Sequence, residues 1–206
     1  MSTDVFDFTL SLGFGTDFYE DMKKVEHKYW DYLDHYSRET NPFLKQSTFL
    51  EKILTFNGNP CYYDTVRQYW RKYEKYKRTI PTSGIIIKSD DYILVVQVYA
   101  SEIYGMPKGK HEPEEDSLTA ALREVKEETG ITFTRDDLEN PDSPVLINRT
   151  FFYLAHRPER QVSFSNYNNN EIIDIKWVNI RTLEPRLYSK QVSAVAHYLL
   201  TGEVPV

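Results

Sequence analysis

The hydrophobic pattern of this chain changes its period near Ile80, and this change limits the possible folds more than any other feature. Before Ile80, apolar residues recur at steps of three and four, which predicts amphipathic helices. These helices are predicted over 18–36, 49–56 and 62–77, and Asn41-Pro42 ends the first of them. The first 80 residues therefore read as an all-helical domain.

After Ile80, runs of β-branched residues at 84–88 and 92–98 flank Ser89-Asp90-Asp91, which is typical of a hairpin. Further strands are predicted over 145–155 and 172–178, and helices over 116–129 and 187–200. Strands and helices that alternate irregularly favour a mixed sheet packed with helices. We expect an α+β protein with a helical domain over 1–80 and a second domain over 81–206.

The charge balance excludes some classes of partner. The 206 residues contain 25 Lys and Arg against 31 Asp and Glu, a net charge of −6, which argues against nucleic-acid binding by bulk positive charge. No apolar run approaches the roughly 18 residues of a membrane span, so we expect no membrane association. The single cysteine, Cys61, fits a reducing compartment, the cytoplasm or also the nucleus.

One acidic segment carries the whole net charge, since residues 110–139 contain 4 basic and 10 acidic side chains. Within it, Glu124, Glu127 and Glu128 stand at i, i+3 and i+4 of a predicted helix, so their carboxylates share one face. Such oxygens can hold hard divalent cations. Arg123 could orient a carboxylate, and Gly130 suits a left-handed helix end. The alternative is a solvated acidic helix face.

The segment 109–131 reads GKHEPEEDSLTAALREVKEETGI and resembles, at every specified position, the box of the Nudix hydrolases. The resemblance implies a Nudix α/β/α-sandwich domain with a mixed sheet. It also implies hydrolysis of a nucleoside diphosphate linked to another moiety, with Mg²⁺ or Mn²⁺ as cofactor. The implied metal ligands within the box are Gly109, Glu124, Glu127 and Glu128.

The segment 104–110, Y-G-M-P-K-G-K, resembles the W-G-F-P-K-G-K of the mRNA-decapping Nudix enzymes, from which Tyr104 and Met106 depart. The resemblance implies that the backbone at Gly109 borders the metal site and that Lys108 and Lys110 meet phosphates. The alternative is a pair of exposed lysines on a turn.

The first predicted helix contains a third similarity, because 25–36 followed by Asn41-Pro42 is similar to the E-x-A-H-W-F-Y-x-D-F region of the decapping family. This resemblance implies that Trp30 stacks on 7-methylguanine and that Asp34 bonds its edge. The two residues are one helical turn apart and can point together. The alternative is a core tryptophan beside a surface aspartate.

A late carboxylate completes the set implied by the resemblance. The segment 171–177, E-I-I-D-I-K-W, resembles the E-I-x-x-I-x-W strand of the decapping enzymes. Glu171 is thereby implied as a metal ligand or general base. With it, Glu127 and Glu128 are the candidate catalytic residues. The alternative for Glu171 is an exposed glutamate at the start of a strand.

The third predicted helix is strongly basic, with six basic residues and one acidic residue between Arg67 and Arg78. Its cations at helical spacing form either a phosphate track for RNA or a solvated face. They are Arg67, Arg71, Lys75 and Arg78. The tyrosines of the same helix, at positions 62, 69, 73 and 76, are predicted to belong to the core, and the alternative is that they are platforms on which RNA bases stack.

These observations lead to one hypothesis and two alternatives. The hypothesis is an mRNA-decapping hydrolase whose two lobes clamp capped RNA, so that water cleaves the cap to 7-methyl-GDP and 5′-monophosphate RNA. A decapping activator protein on the helical domain is the further partner this hypothesis allows. The alternatives are a Nudix hydrolase of small nucleoside or inositol diphosphate derivatives, and an inactive module that binds caps or RNA.

Overall fold

The computed structural model describes residues 17–35, 44–56, 63–99, 101–160, 163–168 and 171–205. The chain divides into two compact units, Met1–Thr79 and Ile80–Val206. Within the described ranges, no helix has both the length and the apolar character required to cross a membrane.

In the described part of the first unit there are three helices, α1 (Phe18–His35), α2 (Gln46–Phe56) and α3 (Tyr63–Lys77). Each helix contributes one apolar stripe to a shared core. The most buried members of that core are Val25, Tyr32, Phe49, Leu50, Ile53 and Val66. The three predicted helices are confirmed. Helix α2 starts three residues earlier than predicted, because its first turn is polar and adds nothing to the apolar period.

The tyrosines of α3 divide between core and surface. Tyr73 is 3% exposed, and its hydroxyl donates to a Glu26 carboxylate oxygen at 2.9 Å. Tyr69 and Tyr76 are 36% and 37% exposed, so the prediction that they belong to the core is wrong. They lie at the margin of the buried stripe, which is too narrow to cover them. Tyr62 lies outside the described residues.

Among its described residues, the second unit has a six-stranded mixed sheet and two α-helices. Across the sheet the strands follow the order β4-β5-β1-β2-β6, and β3 also pairs with β1. Strand β1 runs parallel to β5 and antiparallel to β2 and β3. The elements are β1 (Thr82–Ser89), β2 (Tyr92–Val98), β3 (Lys108–Lys110), α4 (Ser117–Thr129), β4 (Val145–Ile147), β5 (Thr150–His156), β6 (Ile172–Asn179) and α5 (Lys190–Thr201).

Helices cover both faces of this sheet. Ile85 and Ile87 of β1 pack in a core cluster that contains Ala121 and Val125 of α4. Ile86, between them in the chain, points to the opposite cluster with Val192 and Val195 of α5. Strands buried on both faces explain the continuous apolar runs in the sequence. The predicted α+β class with an α/β/α sandwich is confirmed.

Three boundaries differ from the predictions. The strand predicted over 145–155 is a hairpin of β4 and β5, because Asn148 and Arg149 take left-handed φ angles of 48° and 68° and form a turn. The last helix begins at Lys190, after Ser189 accepts the Val192 N–H as its N-cap. Strand β3 has no apolar alternation, so its sequence does not predict it.

Candidate active site

Helix α4, which carries the three box glutamates, is fixed at both ends by local bonds. Asp116 caps its start by accepting the backbone N–H groups of Leu118 and Thr119, each at 2.9 Å. Gly130 ends it with a left-handed φ of 71°, and its N–H donates to the Lys126 carbonyl at 2.9 Å. The predicted role of Gly130 is confirmed, and the helix presents its carboxylates from a defined position.

Glu128 is the buried carboxylate of the site. Its side chain lies at the edge of the α4 face that packs on the sheet, and the residue is 6% exposed. It accepts the backbone N–H of Lys108 at 2.8 Å. Burial raises the pKa of Glu128 well above its ordinary value; Lys108 opposes this effect, and the charges of Glu124 and Glu171 add to it.

Glu124 lies against Gly109 of β3. A β-carbon at position 109 would fall 1.9 Å from the carboxylate carbon of Glu124, so the side chain occupies the space that glycine leaves. Burial raises the pKa of Glu124, Arg123 lowers it, and the charges of Glu127 and Glu171 raise it further. The structure thus brings Glu124 and Gly109 into direct contact, as the resemblance implies for the metal site.

Arg123 organises the carboxylates around it. Its Nε and Nη2 donate to the two carboxylate oxygens of Glu115 at 2.9 and 2.8 Å, a bidentate pair. Its Nη1 donates to Glu124 at 2.8 Å and to Glu127 at 3.3 Å. The prediction that Arg123 orients a carboxylate is confirmed. The role of Glu115 was missed, although its fixed position in the box was the available signal.

Glu171 directly precedes β6 and is held mainly through its backbone. Its carbonyl accepts the N–H of Tyr99 at 2.6 Å, and its N–H donates to the carbonyl of Asn168 at 3.1 Å. Asn168 in turn donates its own N–H to the Glu127 carbonyl at 2.8 Å, which ties this loop to the end of α4. The charge of Glu171 acts on both Glu124 and Glu128, so Glu171 lies within electrostatic range of these two carboxylates.

The donor set fits a divalent cation. In the part of the chain that the structure describes, no three His, Cys, Asp or Glu side chains lie close enough together to hold a metal ion as they stand. Glu124, Glu128 and Glu171 nevertheless offer hard oxygen ligands, and the negative charge of Glu171 raises the pKa of both Glu124 and Glu128 by repulsion. A bound cation would remove that repulsion. A divalent metal is therefore the cofactor that these residues suit.

The remaining predicted residues fall in two places. Lys108 is half-buried and Lys110 is exposed, both on β3 beside the glutamates. The helical unit contains Trp30, which is 46% exposed on α1. The side chain of Asp34 lies outside the described residues. The predicted RNA contacts are exposed on or just after α3, namely Arg67, Arg71, Lys75 and Arg78.

The Arg123–Glu115 pair makes stability depend on pH. Hydrogen bonds from Arg123 hold the pKa of Glu115 below its ordinary value, so the pair stabilises the fold above that value and loses its effect as the pH falls through the lowered pKa. We expect Glu115→Gln to lower the free energy of unfolding at pH 7 by about 1–2 kcal/mol. Urea denaturation at pH 7 and pH 3 measures this difference, which should shrink at pH 3.

Glu114, which is exposed and precedes Glu115 in the chain, supplies the control for that prediction. Glu114→Gln removes the same charge one position away and should leave stability unchanged at both pH values. An equal loss in the two variants would show that net charge, and not the bidentate pair, determines the effect.

With this fold and this cluster of carboxylates, the chain belongs to the NUDIX domain family, whose model matches residues 78–198. The relatives extend the match to most of the chain. It is 27% identical over 197 residues to the "m7GpppN-mRNA hydrolase" of Saccharomyces cerevisiae (strain ATCC 204508 / S288c), covering 89% of this chain and 20% of that protein. It is 28% identical over 172 residues to "mRNA-decapping enzyme subunit 2" of Arabidopsis thaliana, covering 78% of this chain and 45% of that protein.

The chain thus spans less than half the length of both relatives. Among solved structures, the chain is similar to a NUDIX hydrolase from Nitrosomonas europaea, with 22% sequence identity and a TM-score of 0.47. That match covers 61% of this chain and 90% of the other.

Proposed function

We propose that this chain is an mRNA-decapping hydrolase that cleaves capped RNA to 7-methyl-GDP and RNA with a 5′-monophosphate. The observation that carries the proposal is the extent of the similarity. The match to the yeast m7GpppN-mRNA hydrolase covers 89% of the chain, whereas the NUDIX model starts at residue 78. The helical unit is therefore similar to a decapping enzyme too, and a general Nudix reaction does not account for it.

The site supports water attack on a phosphate. Glu124, Glu128 and Glu171, with the backbone of Gly109 beside them, would hold the divalent cation, which we propose is Mg²⁺ or Mn²⁺. When bound, that cation stabilises negative charge on the phosphate oxygens. Glu171 is the exposed member of the set, so it is placed to accept a proton from the attacking water, and the outward-facing Glu127 is the second candidate.

The bonds in the proposed reaction balance without a further reactant. The water oxygen forms a bond to the outer phosphorus of the 7-methylguanosine diphosphate half, and the 7-methyl-GDP product keeps that oxygen. The bridging P–O bond to the RNA phosphate breaks. The RNA 5′-phosphate takes the electron pair of that bond, and the carboxylate takes the water proton. Lys108 and Lys110 flank the glutamates on β3 and supply positive charge for the phosphate chain.

Cap recognition is assigned to the helical unit. The indole of Trp30 is nearly half exposed although α1 has a well-filled core, so this side chain is available to a ligand. Methylation makes the guanine cationic, which strengthens its attraction to an indole face. Asp34, one turn further along α1, would accept hydrogen bonds from the guanine edge. Arg67, Arg71, Lys75 and Arg78 would contact phosphates of the RNA body.

Two further assignments depend on this activity. Relatives are named as subunits, for example "mRNA decapping complex subunit 2" of Schizosaccharomyces pombe. We therefore propose that an activator protein binds the helical unit. Action on capped mRNA would place the protein in the cytoplasm, or also in the nucleus.

The proposal is tested by incubating the purified chain with RNA labelled in the cap, in Mg²⁺, in Mn²⁺ and in EDTA. We expect release of labelled 7-methyl-GDP with a divalent cation and none in EDTA. Excess uncapped RNA should compete strongly. Hydrolysis of dinucleoside polyphosphates or diphosphoinositol phosphates, without cap release or RNA competition, would overturn the proposal in favour of a small-molecule Nudix enzyme.

Trp30 provides a prediction specific to the cap. We expect Trp30→Ala to lower kcat/KM for capped RNA by roughly 10-fold or more, since stacking of one base on an aromatic ring contributes about 1–3 kcal/mol. Turnover of a generic dinucleoside polyphosphate should change much less. Trp30→Phe, which retains an aromatic face, should keep most of the activity on capped RNA. Equal losses on both substrates would show that Trp30 is structural.

A further inference from the structure

The exposed surface of α3 combines cations with aromatic rings. Arg71, Lys72 and Lys75 are exposed, and Tyr69 and Tyr76 each expose more than a third of their surface. We call these five residues the α3 face. The nearby acid, Glu74, pairs with Lys77 at 2.8 Å. The α3 face is therefore positive, although the chain as a whole carries a net charge of −6.

Two of the three cations of this face, Arg71 and Lys75, are not used by the fold. Within the described ranges, neither Arg71 nor Lys75 has a hydrogen bond or an ion pair. Lys77, by contrast, is half-buried and pairs with Glu26 at 2.5 Å, which shows what a structural cation of α3 looks like. A long cationic side chain without such a partner can bind a phosphate at little cost in free energy, because no bond within the protein has to break first.

The two tyrosines are braced in position by aromatic residues of α1. The Tyr76 and Tyr19 ring centroids are 4.1 Å apart, and those of Tyr69 and Phe18 are 5.5 Å apart. The Lys72 ammonium lies between these pairs, 4.3 Å from the Phe18 centroid. In the described part of the chain, neither tyrosine hydroxyl has a hydrogen-bond partner. The rings are thus oriented in advance but remain open to a ligand.

Along the helix, the two rings of the α3 face flank its three cations at a spacing suited to a strand of RNA. Tyr69 and Tyr76 are seven residues apart, about 10.5 Å along the axis at 1.5 Å per residue. Arg71, Lys72 and Lys75 all lie in this interval. Bases of every kind stack on aromatic rings, and backbone phosphates follow positive charge, which is the arrangement used by proteins that bind single strands without sequence preference.

We propose that the α3 face binds the single-stranded RNA body of the capped substrate, with Tyr69 and Tyr76 stacking on bases and Arg71 and Lys75 contacting phosphates. This inference rests on the proposed function, and it adds base stacking to a surface that charge alone would assign only to phosphates. The affinity for RNA would then have two contributions that can be measured separately, one from base stacking and one from phosphate contacts.

Fluorescence anisotropy on the full chain tests the contribution of base stacking to the affinity for RNA. Two uncapped RNA oligonucleotides of equal length are compared, one with all of its bases and one that lacks the bases in its body. We expect wild type to bind the ordinary RNA at least roughly 10-fold more tightly than the abasic RNA. The double variant Tyr69→Leu/Tyr76→Leu should lose most of this preference. Tyr69→Phe/Tyr76→Phe retains both rings and should keep it, and thermal unfolding checks that all three proteins fold equally.

The phosphate contribution is tested by the salt dependence of the same binding. Neutralising Arg71 and Lys75 to Gln should reduce the slope of log affinity against log salt by about 1.4, or 0.7 per phosphate contact for a single strand. The matched control is Lys45→Gln/Lys52→Gln, which removes two exposed cations from the same unit and should leave the slope unchanged.

Two results would overturn the inference. One is a Leu variant that keeps the preference for base-containing RNA, and the other is an equal change of slope in the α3 and control variants. Either would leave the α3 face as a surface for another class of partner, such as a protein. Cap hydrolysis is measured separately. If the wild-type protein releases 7-methyl-GDP but the α3 variants bind RNA as well as wild type does, only the proposed RNA-binding role of the α3 face is overturned. If the wild-type protein binds RNA through the α3 face but releases no 7-methyl-GDP, only the proposed decapping function is overturned.

Discussion

We expect the Glu128→Gln variant to hydrolyse capped RNA roughly 10³-fold more slowly than wild type, a larger loss than we expect from any other single substitution. Glu128 is the most buried of the site carboxylates, and the amide of Lys108 fixes its orientation. The substitution keeps the shape of the side chain but removes the charge that would bind a cation or accept a proton. Loss of such a group costs between about 10² and 10⁴ in rate.

The same variant should not be less stable when metal is absent. Because burial raises the folded-state pKa of Glu128, its ionised form opposes folding at neutral pH, and this penalty grows as the pH rises from the ordinary pKa of a glutamate toward the raised one. In EDTA at pH 7, Glu128→Gln should therefore unfold at the same temperature as wild type or a higher one. Single-turnover cap release and thermal unfolding, measured on the same preparation, check both statements.

Glu139→Gln is the matched control, since it removes a carboxylate of the same unit that pairs with Lys88 at 3.0 Å on the surface. It should retain wild-type turnover. If Glu128→Gln cleaved capped RNA as fast as this control, the cluster around α4 would not be the catalytic site.

Gly109→Ala should produce the second-largest effect, a loss of about 10²-fold in cap hydrolysis with little loss of stability. The added β-carbon would fall 1.9 Å from the carboxylate carbon of Glu124. That carboxylate is the end of a flexible side chain, so it can move away and spare the backbone. The displacement takes an oxygen ligand out of the site, and a misplaced ligand of this kind costs metal affinity or activity by roughly 10- to 100-fold or more. Turnover at rising Mn²⁺ concentration should show weaker metal activation.

Two other glycines of the same segment and its partner strand make the test specific. A β-carbon at Gly105 meets nothing within 4 Å, so Gly105→Ala should leave activity and stability unchanged. A β-carbon at Gly84 would lie 2.3 Å from the backbone carbonyl oxygen of Pro107, so Gly84→Ala should destabilise the fold. A Gly109→Ala protein with normal turnover would show that Glu124 is not needed where the structure places it.

The sequence predicts the part of the site that is local. Glu124, Glu127 and Glu128 come together because helical spacing alone puts them on one face. Glu171 is different, since it is 43 positions beyond Glu128 and reaches the site only because the chain enters β6 there, beside the end of β2. No periodicity encodes that proximity, and only the resemblance to a family indicated it. Glu115 pairs with Arg123 from a loop, which spacing also cannot show.

The fold follows the same division between local and non-local information. The helices and the long apolar strands are predicted because each has a clear period of its own. The hairpin of β4 and β5 was missed because Asn148-Arg149 lacks the glycine that usually marks such a turn. The exposure of Tyr69 and Tyr76 depends on how much surface α1 covers, which is a property of packing and not of the helix that carries them.

The pairing of β1 with β3 determines where this domain can change length. Ser83 lies opposite Gly109, and a slip by one residue would turn every side chain of β3 to the other face. Tyr104 is already tied to Leu187 and Ser189 by backbone bonds, and Tyr99 is tied to Glu171. Insertions between Tyr99 and Tyr104 therefore cost loop-closure entropy, about 0.6 kcal/mol for each doubling of length, and the bonds of Ser101 to Val98 and Gln97. Evolution can remodel this connection beside the site without moving the amide that orients Glu128.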